Sequence, residues 1–195
     1  MNYLAHSFLS FGKPSILVGN IIADLIRKKD EIFYSSDIQR GIHLHRRIDH
    51  FTDEHPLNRG LLNLFYEDHG KYASVLLDVY WDYYLAKHWG KFSDENIKDF
   101  TSDVYSVLNN SLPLIQVPLQ NKMKRMISGD FLLSCENLDR LHRTFIYIEK
   151  RTKFESNFDK AVKNLVKHND QLEDAFLLFF DELLTYTNSE LKIKK

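Results

Sequence analysis

Seven of the nine histidines lie in the first ninety positions of this 195-residue chain, and Asp24, Asp49, Asp53, Asp78 and Asp82 lie among them. A mixed set of imidazole and carboxylate groups suits Mn, Fe, Zn or Mg better than softer metals. The chain has no CxxC or HExxH pattern, which argues against a structural zinc site. These features predict a metal-dependent hydrolase whose working residues come from His6, Asp24, His43, His45, Asp49, His50, Asp53, His55, His69, Asp78, Asp82 and His88.

Three of the aspartates interrupt apolar stretches of the sequence. Asp24 lies within IIADLI, and Asp78 and Asp82 lie within VLLDVYWDYYL. A carboxylate carried into a protein core is costly unless it is paired with a cation or bound to a metal. These three side chains therefore need a partner more than a surface aspartate does.

Helical spacing limits which groups can converge, because residues four apart share one face of an α-helix. His43 and His45 are two apart and cannot both point at one site, and His43 falls on the face of Arg46 and Arg47. The pairs that share a face are Asn20 with Asp24, His45 with Asp49, and Asp78 with Asp82. We therefore predict the metal ligands His6, Asp24, His45 and Asp78, with Asp49 and Asp82 as further acidic candidates.

A purely structural interpretation is open for every one of these residues. A histidine on an apolar helix is often hydrogen-bonded within the core, and an aspartate often pairs with a nearby cation. The structural pairings are Asp24 with Arg27, and Asp78 and Asp82 with Arg46 and Arg47, with Asp49, Asp53 and His55 as capping or surface residues. On that interpretation, substitutions of Asp24 and Asp78 would lower stability and activity in proportion.

The composition excludes several classes of protein. Hydrophobic residues make up 44% of the chain and the formal net charge is -1, which indicates a globular fold and favours neither a nucleic-acid partner nor a membrane surface. A single cysteine, Cys135, excludes an internal disulfide. Neither a signal peptide nor a long apolar span is evident. We therefore expect a cytoplasmic protein with no membrane insertion.

The secondary structure predicted from the sequence is helical throughout. Seven glycines and four prolines are few for a turn-rich β fold. Capping residues and breakers predict helices near 2–11, 15–28, 36–56, 57–68, 71–89, 93–113, 119–128, 135–151 and 154–186, and a frayed tail at 192–195. Segment 71–89 is apolar on most faces, which indicates a central buried helix. The prediction is an all-α, single-domain helical bundle spanning 1–195.

Four blocks of sequence, in the same order, resemble one known family. They are MNYLAH at 1–6, GNIIAD at 19–24, GIHLHRRID at 41–49 followed by Thr52 and Asp53, and LDVYWDYYLAKHW at 77–89. On these blocks the chain resembles the acyl carrier protein phosphodiesterase family, and the likeness is faint beyond about residue 93.

The resemblance implies a helical fold similar to the HD-domain metal phosphohydrolases. It also implies hydrolysis of the phosphodiester that joins 4'-phosphopantetheine to a serine of holo-acyl carrier protein. Manganese is the metal it implies, with Mg, Fe or Zn as other options, and Asp24 matches the aspartate that is essential in the family. The chain has no consecutive His-Asp pair in its first half, where His43, His45 and Asp49 stand instead.

Further roles follow for the residues around the predicted ligands. Asp82 or Asp49 would orient the attacking water or a second ion, Arg46 or Arg47 would clamp a phosphate oxygen, and His43 would protonate the departing serine oxygen. By the same resemblance the carrier protein is acidic, so docking needs basic residues. The candidates are Arg27, Lys28 and Lys29, together with segments 46–47, 122–125 and 150–153.

Two other functions fit the same residues. One is a metal phosphohydrolase that acts on nucleotides or another small phosphoester, since the spacing of the ligands alone does not select a substrate. The other is a non-catalytic helical protein that binds carrier proteins and holds no metal.

Overall fold

The computed structural model describes residues 1–192, and every regular element in that range is helical. The predicted all-α class is therefore confirmed, while the predicted frayed tail falls almost wholly on 193–195, outside the described residues. Over residues 1–192 no helix has both the length and the apolar character needed to cross a membrane. The α-helices are α1 (Tyr3–Phe8), α2 (Pro14–Ile22), α3 (Ser36–Glu54), α4 (Pro56–Leu62), α5 (Tyr66–His69), α6 (Ala73–Lys87), α7 (Trp89–Phe92), α8 (Ile97–Asn110), α9 (Val117–Ser128), α10 (Leu138–Glu149), α11 (Ala161–Lys167) and α12 (Asn169–Lys192).

Helix α6 is the central buried helix that the sequence predicted. Tyr80, Trp81 and Tyr84 are fully buried on it. Trp81 packs on α12, with its ring centroid 5.7 Å from that of Phe176 and 5.9 Å from that of Phe179. Burying one large apolar side chain stabilises a fold by about 1.5–3 kcal/mol. This helix therefore anchors the core against which α1 and α4 also pack.

Helix α2 is shorter than the sequence predicted, because it ends at Ile22 and not near residue 28. A 3-10 turn follows at Ala23–Leu25, Ile26 is extended, and a second 3-10 segment spans Lys28–Phe33. Residues 27–30 are all charged, so they offer no apolar side chain that could prolong the buried face of α2. The early end leaves Asp24 outside the helix, so its spacing from Asn20 no longer sets its direction.

The single helix predicted at 154–186 is two helices, α11 and α12. Asn157 adopts the left-handed backbone region with φ of 50°, which excludes a regular helix there. His168 separates α11 from α12. At the break, the Tyr84 hydroxyl donates to the Asn169 backbone oxygen at 3.1 Å, which ties the start of α12 to α6. The break between α11 and α12 therefore coincides with a contact from α6, which the local periodicity of 154–186 could not indicate.

Helices α2 and α3 approach each other through two facing glycines. A Cβ atom at Gly19 would lie 2.0 Å from the Ile38 backbone oxygen, and one at Gly41 would lie 2.2 Å from the Ile16 backbone oxygen. No side chain larger than hydrogen fits at either position without moving backbone. The close approach brings the end of α2 beside the middle of α3, where the candidate site lies.

Candidate metal site

Two histidines and one aspartate converge where α1 meets α3. His6 Nε2 lies 3.1 Å from Asp49 Oδ1, and His45 Nε2 lies 3.0 Å from Asp49 Oδ2. The two imidazole rings are stacked, with centroids 4.0 Å apart and planes 15° from parallel. One ligand atom from each of the three residues lies within 4.8 Å of the others, a spacing that a single metal ion can bridge. We call these three residues the triad.

Asp24 adjoins the triad from the 3-10 turn that follows α2. Its Oδ1 lies 3.0 Å from His45 Nε2, and its side chain is 60% exposed. The hydrogen bond from His45 holds the pKa of Asp24 below its usual value. Arg27, the structural partner considered for Asp24, instead donates to Asp30 at 2.9 Å. Asp24 therefore presents an ionised carboxylate to solvent at the edge of the triad.

Asn20 fixes which nitrogen of each histidine carries a proton. Its Nδ2 donates to the His6 backbone oxygen at 2.7 Å, so its Oδ1 faces His6 Nδ1 at 2.8 Å and accepts from it. The backbone oxygen of Asn20 accepts from His45 Nδ1 at 2.7 Å. Because both Nδ1 atoms donate, each neutral imidazole has its lone pair on Nε2. A carbonyl behind each ring is also the usual support of a metal-bound histidine.

This tautomer leaves two acceptors facing each other. The lone pair of neutral His6 Nε2 points at Asp49 Oδ1, 3.1 Å away, so a proton or a cation has to lie between them. Burial and the nearby charge of His45 lower the pKa of His6 to about 4. His6 is therefore neutral at physiological pH, and the donor set fits a divalent cation that imidazole and carboxylate ligands share.

His45 carries the proton that partly neutralises this cluster. Burial opposes a charge on its ring, but hydrogen bonds to Asp24 and Asp49 outweigh that effect and raise its pKa to about 9. For Asp49, burial is likewise outweighed by the hydrogen bond from His45, together with the charge of the Met1 ammonium, and its pKa is held well below the usual range. Since a metal ligand must be deprotonated, metal binding here would release the His45 proton.

Asp78 and Asp82 on α6 contact the start of the chain and not the triad histidines. The Met1 α-ammonium lies 2.8 Å from Asp78 Oδ1 and 3.4 Å from Asp49 Oδ1. Burial disfavours that charge, but the two carboxylates outweigh the penalty and raise the pKa of the amine to about 11. Asp78 is thus joined to the triad through the ammonium group.

Asp82 holds the first turn of α1. Its two carboxylate oxygens accept from the backbone N–H groups of Leu4 at 2.8 Å and Ala5 at 3.0 Å. A carboxylate at a helix N-terminus satisfies N–H groups that have no partner within the helix. Burial raises the pKa of Asp82 to about 7. Asp82 therefore orients α1, and with it His6, since both of its oxygens are already engaged.

The remaining candidates of the sequence analysis lie on the outer face of α3. His43 and Arg46 both approach Glu31, with His43 Nε2 at 3.7 Å and Arg46 Nη1 at 3.1 Å, and Arg47 contacts Glu190. His43 and Arg46 thus share the face that their spacing predicted. None of the hydrogen bonds among the described residues joins these three side chains to the triad.

Three other histidines of the first ninety residues have partners away from the triad. Nε2 of His55 lies 3.2 Å from Glu182, His69 Nδ1 donates to the Ser156 backbone oxygen at 2.8 Å, and His88 contacts Glu173. Each of these contacts joins the first ninety residues to the C-terminal half of the chain. These three histidines therefore tie the two halves together.

Two residues with a part in the site were missed by reasoning from spacing. Asn20 was considered only as the helical neighbour of Asp24, and the Met1 amine was not considered. Both belong to blocks that resemble the family, 1–6 and 19–24, and that resemblance was the available signal.

Comparison with known proteins identifies the family. The family model described as acyl carrier protein phosphodiesterase matches residues 1–183. A protein of that name from Escherichia coli is 30% identical over 185 residues, covering 94% of this chain and 96% of the relative. Another from Serratia proteamaculans is 38% identical over 122 residues, covering 62% of this chain and 63% of the relative. No solved structure matches the chain, so the likeness to HD domains stays a prediction. The chain belongs to the acyl carrier protein phosphodiesterase family.

Proposed function

We propose that this family member hydrolyses the phosphodiester between 4'-phosphopantetheine and a serine of holo-acyl carrier protein. The products are apo-carrier protein and free phosphopantetheine. Membership of the family supports the carrier protein as substrate. The observation that carries a metal-assisted hydrolysis is the acceptor pair of His6 Nε2 and Asp49 Oδ1, 3.1 Å apart.

The triad would hold one divalent metal ion. We propose His6, His45 and Asp49 as its ligands, with Asp24 close enough to complete the set. Manganese follows from the family resemblance, and Mg, Fe or Zn suits the same ligands. When bound, such an ion supplies positive charge for the phosphodiester and lowers the pKa of water. Asn20 keeps both ligand lone pairs directed at it.

In this proposal one further acidic residue takes part in the chemistry and two others hold the site in place. Asp24 has the more exposed carboxylate, so we assign it to orient the attacking water. Asp82 cannot take that role while both its oxygens accept backbone N–H groups, and we assign it to hold α1. Asp78, predicted as a ligand, we assign to the Met1 ammonium, which in turn positions Asp49.

The roles proposed for Arg46, Arg47 and His43, on the outer face of α3, require these side chains to move. Arg46 and Arg47 would have to leave Glu31 and Glu190 to clamp a phosphate oxygen. His43, 52% exposed, would have to reach across from the same outer face to protonate the serine oxygen. For clamping the phosphate oxygen we favour basic side chains that lie nearer to the triad.

Two basic rims near Asp24 suit the docking of an acidic carrier protein. Lys28 and Lys29 are exposed on the segment that follows Asp24, whereas Arg27 beside them is engaged by Asp30. On the other side, Lys122 and Arg125 of α9 and Arg151 after α10 form no ion pair among residues 1–192. Burial and the charge of Arg151 lower the pKa of Lys122, and the charge of Asp24 partly opposes them, so all three groups lie near one another. Complementary charge of this kind accelerates encounter and is weakened by salt.

The test of the function is the loss of phosphopantetheine from purified holo-carrier protein, followed by mass spectrometry. We expect conversion to the apo form with Mn and none after EDTA treatment. Parallel incubations with nucleotides test the alternative phosphohydrolase. Retention of the prosthetic group under every metal condition, by a folded protein, would refute the proposed reaction.

A further inference from the structure

A cavity of about 180 Å³ lies one helical turn beyond the triad. Asp53 on its rim follows Asp49 by four residues, so both lie on one face of α3. Asp78, which holds the Met1 ammonium beside Asp49, forms part of the same rim. The cavity therefore borders residues that adjoin the triad. Its lining consists of Thr52, Asp53, Asn58, Leu62, Ser74, Leu77 and Asp78.

The polar groups of this cavity are mainly hydrogen-bond acceptors. Asp53 and Asp78 offer carboxylates, and the Thr52 hydroxyl has its proton engaged by the Ile48 backbone oxygen at 2.8 Å. Asn58 is 2% exposed and donates from Nδ2 to the Thr52 backbone oxygen, which leaves its Oδ1 buried without a partner. A buried acceptor without a donor is costly, so this oxygen calls for a donor from a ligand.

The same lining excludes some ligands. An anion would meet two carboxylates, and the polar side chains leave only two unengaged donors, the exposed Ser74 hydroxyl and the second N–H of Asn58 Nδ2. Leu62 and Leu77 add an apolar wall. The lining therefore suits an uncharged group that carries N–H or O–H donors next to branched carbon. It does not suit a phosphate or a nucleoside phosphate.

We propose that this cavity binds the pantetheine arm of the substrate, while the phosphate stays at the triad. This inference rests on the proposed function and deepens it. The arm carries a hydroxyl, two amide N–H groups and a dimethyl carbon, which match the acceptors and the leucine wall. Asn58 Oδ1 receives a donor from the arm, and Leu62 and Leu77 contact its methyl groups.

Filling the mouth of the cavity tests the proposal. Ser74 is exposed at the start of α6, so Ser74→Leu narrows the opening without changing the core, and Ser102→Leu on the exposed face of α8 is the matched control. Asp53→Leu, at a second exposed position of the lining, is another variant, and we call these two the rim variants. Two quantities are measured with the full-length protein. They are the dissociation constant of pantetheine, which has no phosphate, and the ratio of kcat/KM for holo-carrier protein to that for bis(p-nitrophenyl) phosphate, which has no arm.

We expect both rim variants to weaken pantetheine binding at least tenfold and to lower the ratio at least tenfold, while Ser102→Leu leaves both quantities unchanged. Failure of wild-type protein to bind pantetheine overturns the inference, as does a ratio unchanged in both rim variants. If wild-type protein binds pantetheine but hydrolyses neither substrate, the proposed function fails by itself. Weakened binding in the two rim variants would then still support the cavity.

Discussion

The two faces of α3 carry similar side chains in different surroundings. On the inner face, His45 is 2% exposed and lies between Asp24, Asp49 and the Asn20 carbonyl. On the outer face, His43 is 52% exposed and its Nε2 lies 3.7 Å from Glu31. Residue types alone do not separate these faces. The difference lies in the buried oxygen behind the inner ring, which accepts from Nδ1 and so directs Nε2 toward Asp24 and Asp49, where a metal ion would replace its proton.

The largest expected effect separates the two faces directly. His45→Gln removes a proposed metal ligand, so we expect kcat/KM for holo-carrier protein to fall by at least about a thousandfold. His43→Gln makes the same chemical change on the same helix and should cost less than about tenfold, well below the roughly hundredfold or more of a general acid, because no hydrogen bond within residues 1–192 joins His43 to the triad. Kinetics with Mn and circular dichroism of both variants provide the check. Equal losses would mean that the inner face has no special role.

The next effect concerns the glycine contact that brings α2 to the inner face. Gly41→Ala places a Cβ atom 2.2 Å from the Ile16 backbone oxygen, so we expect a stability loss of about 3 kcal/mol or more. Gly60→Ala in α4 meets no atom within 4 Å and should be neutral or slightly stabilising. Urea denaturation measures both. A Gly41→Ala protein of wild-type stability would contradict the packing of α2 on α3.

A pH dependence of stability should also come from the inner face. The pKa of His45 is raised from 6.5 to about 9 by folding, so its contribution is fully present below pH 6.5 and is lost as the pH rises through 9. A shift of that size corresponds to about 3 kcal/mol. Thermal unfolding of EDTA-treated protein should follow this loss in wild type and much less in His45→Gln. Parallel pH profiles for the two proteins would argue against a protonated His45.

The smallest of these effects comes from Asn20 Oδ1, the oxygen that accepts from His6 Nδ1. Asn20→Ala removes the acceptor for His6 Nδ1 but keeps the backbone carbonyl that supports His45. Loss of such a support usually costs about 10- to 100-fold in metal affinity. Titration with Mn, monitored by electron paramagnetic resonance, measures the change. Unaltered affinity would show that His6 does not depend on Asn20.

Local sequence rules predicted those features of the site that depend on a single helix. The spacing of His45 and Asp49 on a single helix correctly predicted a shared face. The apolar character of segment 71–89 correctly predicted a buried helix. Which acidic residue joins the histidines depends on how α6 is rotated against α1 and α3. Spacing therefore did not distinguish Asp49 from Asp78. The Met1 amine was missed because backbone groups do not appear in a pattern of side chains.

The position of Met1 has a consequence for the order in which the site can form. Its ammonium group contacts carboxylates 48 and 77 residues later in the chain, and the first turn of α1 contacts Asp82. Residues 1–6 can therefore gain these partners only after residues 78–82 have been made. Contacts so distant in sequence form late, because closing a long loop costs entropy before the contact is gained. The site is thus completed only after α6 is in place, because Asp82 and Asp78 of that helix hold the segment that carries His6.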